Sequence, residues 1–154
     1  DAQAAADNAM LLARVRDDNW DAEFDVEFGQ GTSSILLRMD QTHNLEIELG
    51  QGAIRTCLNL AGCAVPLSTI SIPDQTGATI CLHSRPAPSG FMALQGPDCV
   101  SATLSMADRN IVLGKIDGRY LSTEVAGGFT GRMIGMHVKR GRGILKRAAY
   151  QPHQ

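Results

Sequence analysis

The sequence predicts an all-β fold, and three observations carry that expectation. From Trp20 to Phe28 the residues alternate without a break, with Trp20, Ala22, Phe24, Val26 and Phe28 on one face and Asp21, Glu23, Asp25 and Glu27 on the other. That two-residue period belongs to a strand with one buried face. No 3.6-residue period is sustained along the chain, and a helix would scatter those rings around its surface. Short apolar runs also recur throughout, separated by Gly, Pro, Asn or Asp, as in a sandwich or barrel.

The elements follow in order. Residues 1–8 read as a frayed or vector-derived lead-in, because the alanines of DAQAAADNA could close only a turn of helix that is marginal in water. A single domain is expected over residues 9–154. Its first strand is AMLLARVR (residues 9–16), and the alternating stretch from Trp20 is the second. After GQGTS come the strand SSILLRM, the turn DQTHN and the strand LEIEL, with Leu45, Ile47 and Leu49 inward and Glu46 and Glu48 outward. Further strands are predicted at 53–60, 67–72, 78–84, 90–94, 99–106, 110–116, 119–125, 132–139 and 143–150. A chain of 154 residues is one domain by length and buries about two thirds of its unfolded surface without staples.

The charge is unevenly placed. Eleven of the 16 acids fall in the first 48 residues, whereas after Glu124 there are six bases and no acids. A tail such as KRGRGILKR is compatible with nucleic-acid contact, but the bases flank a GRG turn and alternate with apolar residues, which favours a solvated hairpin with Lys and Arg on its outer face. Neither a nucleic acid nor a membrane is expected as a partner. No apolar run approaches the length of a membrane helix, and the first ten residues lack the pattern of a signal peptide. The chain does not begin with Met and reads as processed or excised from something longer.

Cys57, Cys63, Cys81 and Cys99 show no paired C-x-x-C spacing. Cys81, within TICLHS, reads as a small buried hydrophobe, while Cys57 and Cys63 leave a hairpin disulfide open. His43, His83, His137 and His153 stand singly, Ser122 is not in a G-x-S-x-G elbow, and no calcium-loop motif occurs. No metal or cofactor is expected. The acids mostly alternate outward on strands, so no convergent carboxylate pair for glycoside hydrolysis can be named, and no catalytic residue is assigned.

The most informative stretch is Leu121 to Gly131, LSTEVAGGFTG. Gly127 and Gly128 precede Phe129 and Thr130, and Met133 to Val138 follow as a mainly apolar run, so the segment reads as strand, glycine-hinged loop, strand. The longer run DGRYLSTEVAGGFTGRMIGMHV (residues 117–138) resembles the C-terminal β-sandwich module of glycoside hydrolase family 43, the β-xylosidases and α-arabinofuranosidases. There a similar LST-x-x-x-GG-F-TG phrase precedes a strand. RVRDDNWDAEFDVEF is similar to that family's first aromatic strand, and SSILLRMDQTHNLEIELGQG resembles its central hairpin. The final LKRAAYQPHQ departs from the family's A-D-F-D-x-F-x-Y ending.

The resemblance implies an antiparallel β-sandwich of the concanavalin A-like jelly-roll type, packed on a five-bladed propeller that carries the catalytic carboxylates. It implies that Phe129, flanked by Gly128 and Thr130, reaches over to close the partner's sugar pocket. A ring against the apolar face of a sugar is the physical basis of such a contact, and by residue type Trp20, Phe91, Tyr120 and Tyr150 are the other candidates. By parity Trp20 also fits a residue capping the core edge, and Phe129 also fits an inward loop anchor. The expected function is a noncatalytic accessory or carbohydrate-binding module of a xylan- or arabinoxylan-degrading hydrolase, partnered by an oligosaccharide or a propeller domain. The alternatives are a stand-alone structural or protein-interaction sandwich without a sugar site, or a fragment of a glycosidase.

Overall fold

The alternation that starts at Trp20 is realised as strand β3 (Trp20–Glu27), with Trp20, Ala22, Phe24 and Val26 at most 3% exposed. The computed structural model describes residues 2–5, 8–50, 52–73, 75–87, 96–107, 109–127 and 131–154. The other strands are β1 (Ala2–Ala5), β2 (Ala9–Arg14), β4 (Gly31–Arg38), β5 (His43–Gly50), β6 (Ala53–Leu60), β7 (Cys63–Ser71), β8 (Gly77–Ala87), β9 (Gly96–Ser105), β10 (Asn110–Asp117) and β11 (Met133–Pro152). All the pairings are antiparallel. A first sheet runs β10-β9-β8-β3-β11 and a second β11-β4-β5-β6-β7, so β11 belongs to both. β2 lines the first half of β11, and β1, within the expected lead-in, pairs with its middle.

The inner faces of the two sheets make one core, in which Ile35, Leu37, Leu45, Ile47, Ile54, Ile80, Leu82, Val100 and Leu104 are 0% exposed. Each such side chain contributes about 1.5 to 3 kcal/mol of burial free energy. At the far side from β11 the sheet edges approach each other: Ser68 Oγ on β7 donates to the Leu113 carbonyl on β10 at 2.5 Å. The all-β antiparallel sandwich expected from the alternation is the fold observed.

Several expectations are corrected. The predicted strands 132–139 and 143–150 are one continuous strand, and GRG is not a hairpin turn. The glycines serve a close crossing instead, where Gly141, at φ +78°, is paired with Gly31. A Cβ at Gly141 would run into the Gln30 carbonyl, and one at Gly31 into the Arg140 carbonyl, so only bare backbones can pass at this bend. The predicted strand 119–125 is helical, for reasons given below. β7 starts at Cys63, four residues before its predicted position, and carries Pro66 on an exposed sheet edge, where proline is tolerated. The predicted strand 90–94, and Phe91 with it, lies outside the described residues.

The cysteines are free. Cys57 stands opposite Pro66 and Cys63 opposite Leu60, which leaves no Cys57–Cys63 bridge. Cys81 is not in the core. Ile80 and Leu82 point inward, whereas Cys81 lies half-buried on the outer face opposite Glu23, and burial followed by the charge of Glu23 pushes its thiol pKa up.

The charge asymmetry becomes complementarity between strands, because the basic β11 is laid beside the acidic β3 and within reach of Glu46 and Glu48 on β5, one strand beyond β4. Lys146 meets Glu27 at 2.7 Å, Arg147 meets Glu23 at 2.5 Å, and Lys139 meets Glu46 at 2.6 Å and Glu48 at 3.2 Å. Exposed pairs of this kind contribute little each, but opposite charges across strands favour this register over a slipped one.

Asp21 gathers three basic side chains. Its carboxylate accepts from His83 Nδ1 at 2.7 Å, His153 Nε2 at 2.7 Å and Arg85 Nη2 at 2.5 Å. Burial alone would raise its pKa, but the bonds from His83, His153 and Arg85 prevail and lower it from 3.8 to about 2. A depressed carboxylate stabilises the fold above its unfolded pKa, and that stability is lost as pH falls through the folded value. Asp21→Asn is therefore expected to flatten the acid limb of a stability profile between about pH 4 and pH 2. Urea midpoints across that range test it, and parallel limbs for wild type and variant would refute it.

Candidate functional site

The segment singled out by the sequence is built on a polar anchor. β10 ends at Asp117, whose carboxylate accepts from the Arg119 backbone N–H at 2.9 Å and opens a 3-10 turn over Gly118–Leu121. Leu121, 0% exposed, pins that turn to the core. A single α-helical turn, α1 (Thr123–Ala126), follows and is closed by Gly127 at φ 68°, whose N–H reaches the Thr123 carbonyl at 2.9 Å. This left-handed glycine stop is why 119–125 is not a strand. Gly128, Phe129 and Thr130, the three predicted substrate-binding residues, lie outside the described residues, and the chain resumes at Gly131.

Arg132, counted in the sequence only as one base among six, is the structural centre of this end. Its guanidinium makes a fork to Asp98, with Nη2 to Oδ1 at 2.8 Å and Nη1 to Oδ2 as a second, shorter contact. It also donates from Nε to the Leu121 carbonyl at 2.8 Å and from Nη2 to the Gly118 carbonyl at 2.7 Å. The two side chains are 17% and 13% exposed. Ser84 Oγ on β8 completes the set, within 2.6 Å of Asp98 Oδ2 and 2.8 Å of the Asp18 carbonyl. Burial opposes ionisation of Asp98, but the Arg132 and Ser84 hydrogen bonds outweigh it and hold its pKa below the ordinary value. Asp98 is thus a committed anion suited to bracing, not to proton transfer.

Beside this anchor lies a polar recess of about 250 Å³, lined by Arg16, Asp17, Asp18, Thr123, Gly131 and Arg132 among others. On the neighbouring surface Tyr150 stacks on Trp20 with ring centroids 5.8 Å apart, and its hydroxyl donates to Asp17 at 2.8 Å. Burial, then the bond to Asp17, pushes the Tyr150 pKa up to about 12. Of the aromatic candidates, Trp20 is core, and Tyr120 and Tyr150 are exposed. His43, His83 and His153 are hydrogen-bonded to carboxylates and His137 to Asn8. Among the described residues no group of three or more His, Cys, Asp or Glu is arranged to hold a metal.

The comparisons with known proteins fit this architecture. No family model and no curated protein matches the chain in sequence. Among solved structures it is similar to GH43B of the Bacteroides ovatus xyloglucan PUL, at 17% identity and TM-score 0.71, over 88% of this chain and 28% of that one. It is similar to a mutant of the GH43 protein BlXynB from Bacillus licheniformis, at 15% identity and TM-score 0.75, over 94% and 29%. It also matches the carbohydrate binding module CBM66 from Bacillus subtilis, at 10% identity and TM-score 0.60, over 97% and 85%. The chain spans less than a third of the length of the two GH43 structures. It therefore has the antiparallel β-sandwich fold found within these glycoside hydrolase family 43 structures.

Proposed function

We propose that this chain is a noncatalytic accessory module of a hemicellulose-degrading glycoside hydrolase, one that acts on xylan or arabinoxylan, and that its Gly127–Gly131 loop supports the sugar pocket of a separate propeller catalytic domain. The observation that carries the proposal is the Arg132–Asp98 anchor. It fixes the residue following the loop to Gly118 and Leu121, on the segment leading into it, and a loop that presents a ring to another domain needs rigid ends. The family 43 relatives, more than three times as long as the matched region, and a relative of similar size named a carbohydrate binding module support the same reading. In it Phe129 supplies the ring, and Gly128 and Thr130 supply the turn and a hydroxyl.

The test fuses the chain to a family 43 propeller and measures kcat/KM on xylo-oligosaccharides. Phe129→Ala is expected to lower turnover about tenfold or more, by removing a ring that excludes water and stacks on the sugar, while leaving the melting temperature of the isolated chain nearly unchanged. A core ring would instead cost about 3 to 5 kcal/mol on truncation. A large drop in melting temperature, or unchanged turnover in the fusion, would defeat the proposal. A stand-alone sandwich without a sugar site would give that second result.

A further inference from the structure

The outer face of the second sheet is recessed, although a sandwich needs only its inner faces buried. Along β4, Ile35 and Leu37 point into the core and Ser34, Leu36 and Arg38 share the opposite face, yet Ser34 is 0% and Leu36 4% exposed. The recess holds about 380 Å³ over a floor that includes Leu36, and its walls are polar. Arg38, Asn44, Asn59 and His137 reach it from four neighbouring strands, β4, β5, β6 and β11.

Three of these side chains are held by hydrogen bonds within the recess. Asn59 Nδ2 donates to Asn44 Oδ1 at 2.9 Å, and Asn44 Nδ2 donates to the Gln41 carbonyl at 3.3 Å. His137 Nε2 donates to Asn8 Oδ1 at 2.8 Å, which leaves Nδ1 with a free lone pair while the ring is neutral. Partial burial, and then the positive charges of Lys139 and Arg38, lower the His137 pKa and favour the neutral ring. Rigid donors and acceptors side by side match hydroxyl groups, each of which donates and accepts.

Among the described residues the charges around the recess do not cancel. Glu46 is taken by Lys139 at 2.6 Å and by Ser34 at 2.6 Å, and Glu48 by Arg55 and Lys139, both at 3.2 Å. Among the described residues Arg38 pairs with no carboxylate, and its guanidinium donates to the Met10 sulfur at 3.1 Å. A planar five-donor fork with no anion beside it among the described residues is suited to a carboxylate.

We propose that this recess is a second binding site, for a saccharide that carries a carboxylate, with Arg38 taking the carboxylate and Asn44, Asn59 and His137 the hydroxyls. The choice of a saccharide rests on the accessory-module reading, whereas the choice of an acidic one rests on the recess alone. The floor of Leu36 and Met10 offers no ring for stacking, so affinity depends on hydrogen bonds and charge.

The experiment titrates the isolated ¹⁵N-labelled chain with xylotetraose and with the same oligosaccharide bearing a glucuronic acid. The acidic ligand is expected to bind at least about tenfold tighter, the size of one charge-assisted contact, with shifts confined to residues around Arg38, Asn59 and His137. Binding should weaken between roughly 50 and 500 mM salt, and Arg38→Gln should abolish the preference for the acidic ligand. Equal binding of the two ligands, absence of binding, or shifts located at the Gly127–Gly131 loop would overturn the proposal. The shift map on the unmodified chain decides the matter even if Arg38→Gln fails to fold. Failure here leaves the loop proposal standing, because that proposal is read from turnover in the fusion.

Discussion

Arg132→Ala is expected to destabilise the domain by about 3 to 5 kcal/mol, the usual cost of removing one partner from a buried ion pair. The cause is less the lost attraction than what remains. Asp98, 13% exposed, would keep its charge with only Ser84 beside it, and the Gly118 and Leu121 carbonyls would lose their donor. Urea denaturation of wild type and variant measures the effect. Replacing both partners, as Arg132→Met with Asp98→Leu, should restore part of the loss because no uncompensated charge is left. A loss below about 1 kcal/mol for Arg132→Ala would place the pair among solvated surface bridges and remove the argument that it braces the loop.

Phe24→Asp is expected to cost more than about 4 kcal/mol, enough to unfold a marginal domain at 25 °C. Phe24 is 3% exposed, between Ile80 on β8 and Ala148 on β11, so the substitution removes a large apolar side chain and puts a carboxylate where it cannot be hydrated. The adjacent Glu23→Lys reverses a charge on the outer face, where Glu23 pairs with the exposed Arg147, and should cost under about 1 kcal/mol. Equal shifts in melting temperature for the two would show that the strand or its facing is wrong.

What could be read from the chain follows from how local each signal is. The facing of β3 and β5 is written in consecutive residues, because a two-residue period needs no knowledge of the partner strand. The helical turn at Thr123–Ala126 was also marked, by Ser122 before it and Gly127 after it, but the surrounding strand pattern concealed that pair of stop signals. The continuity of β11 was hidden for a different reason. GRG specifies a turn and a close backbone crossing equally well, and only the facing segment from Gly29 to Gly31 distinguishes them. Arg132 and Asp98 are 34 residues apart and the four residues of the second-sheet recess come singly from four strands, so no spacing announces either group. For Gly128, Phe129 and Thr130 the assignment rests on the resemblance of the surrounding phrase.

The strand shared by both sheets follows the other ten described strands in the chain, and this has a bearing on biosynthesis. While a ribosome is still extending the chain, β4 to β7 can assemble as successive hairpins, β8 can pair with β9 and β9 with β10, because these contacts are close in sequence. β3 and β4 lack their common neighbour until β11, Met133–Pro152, emerges. At about 5 to 20 residues per second, the nascent chain would spend several seconds with two open strand edges, acidic on β3 and apolar on β4. The acidic residues of β3 would then keep a half-made sheet from pairing with another copy until the basic strand arrives to close it.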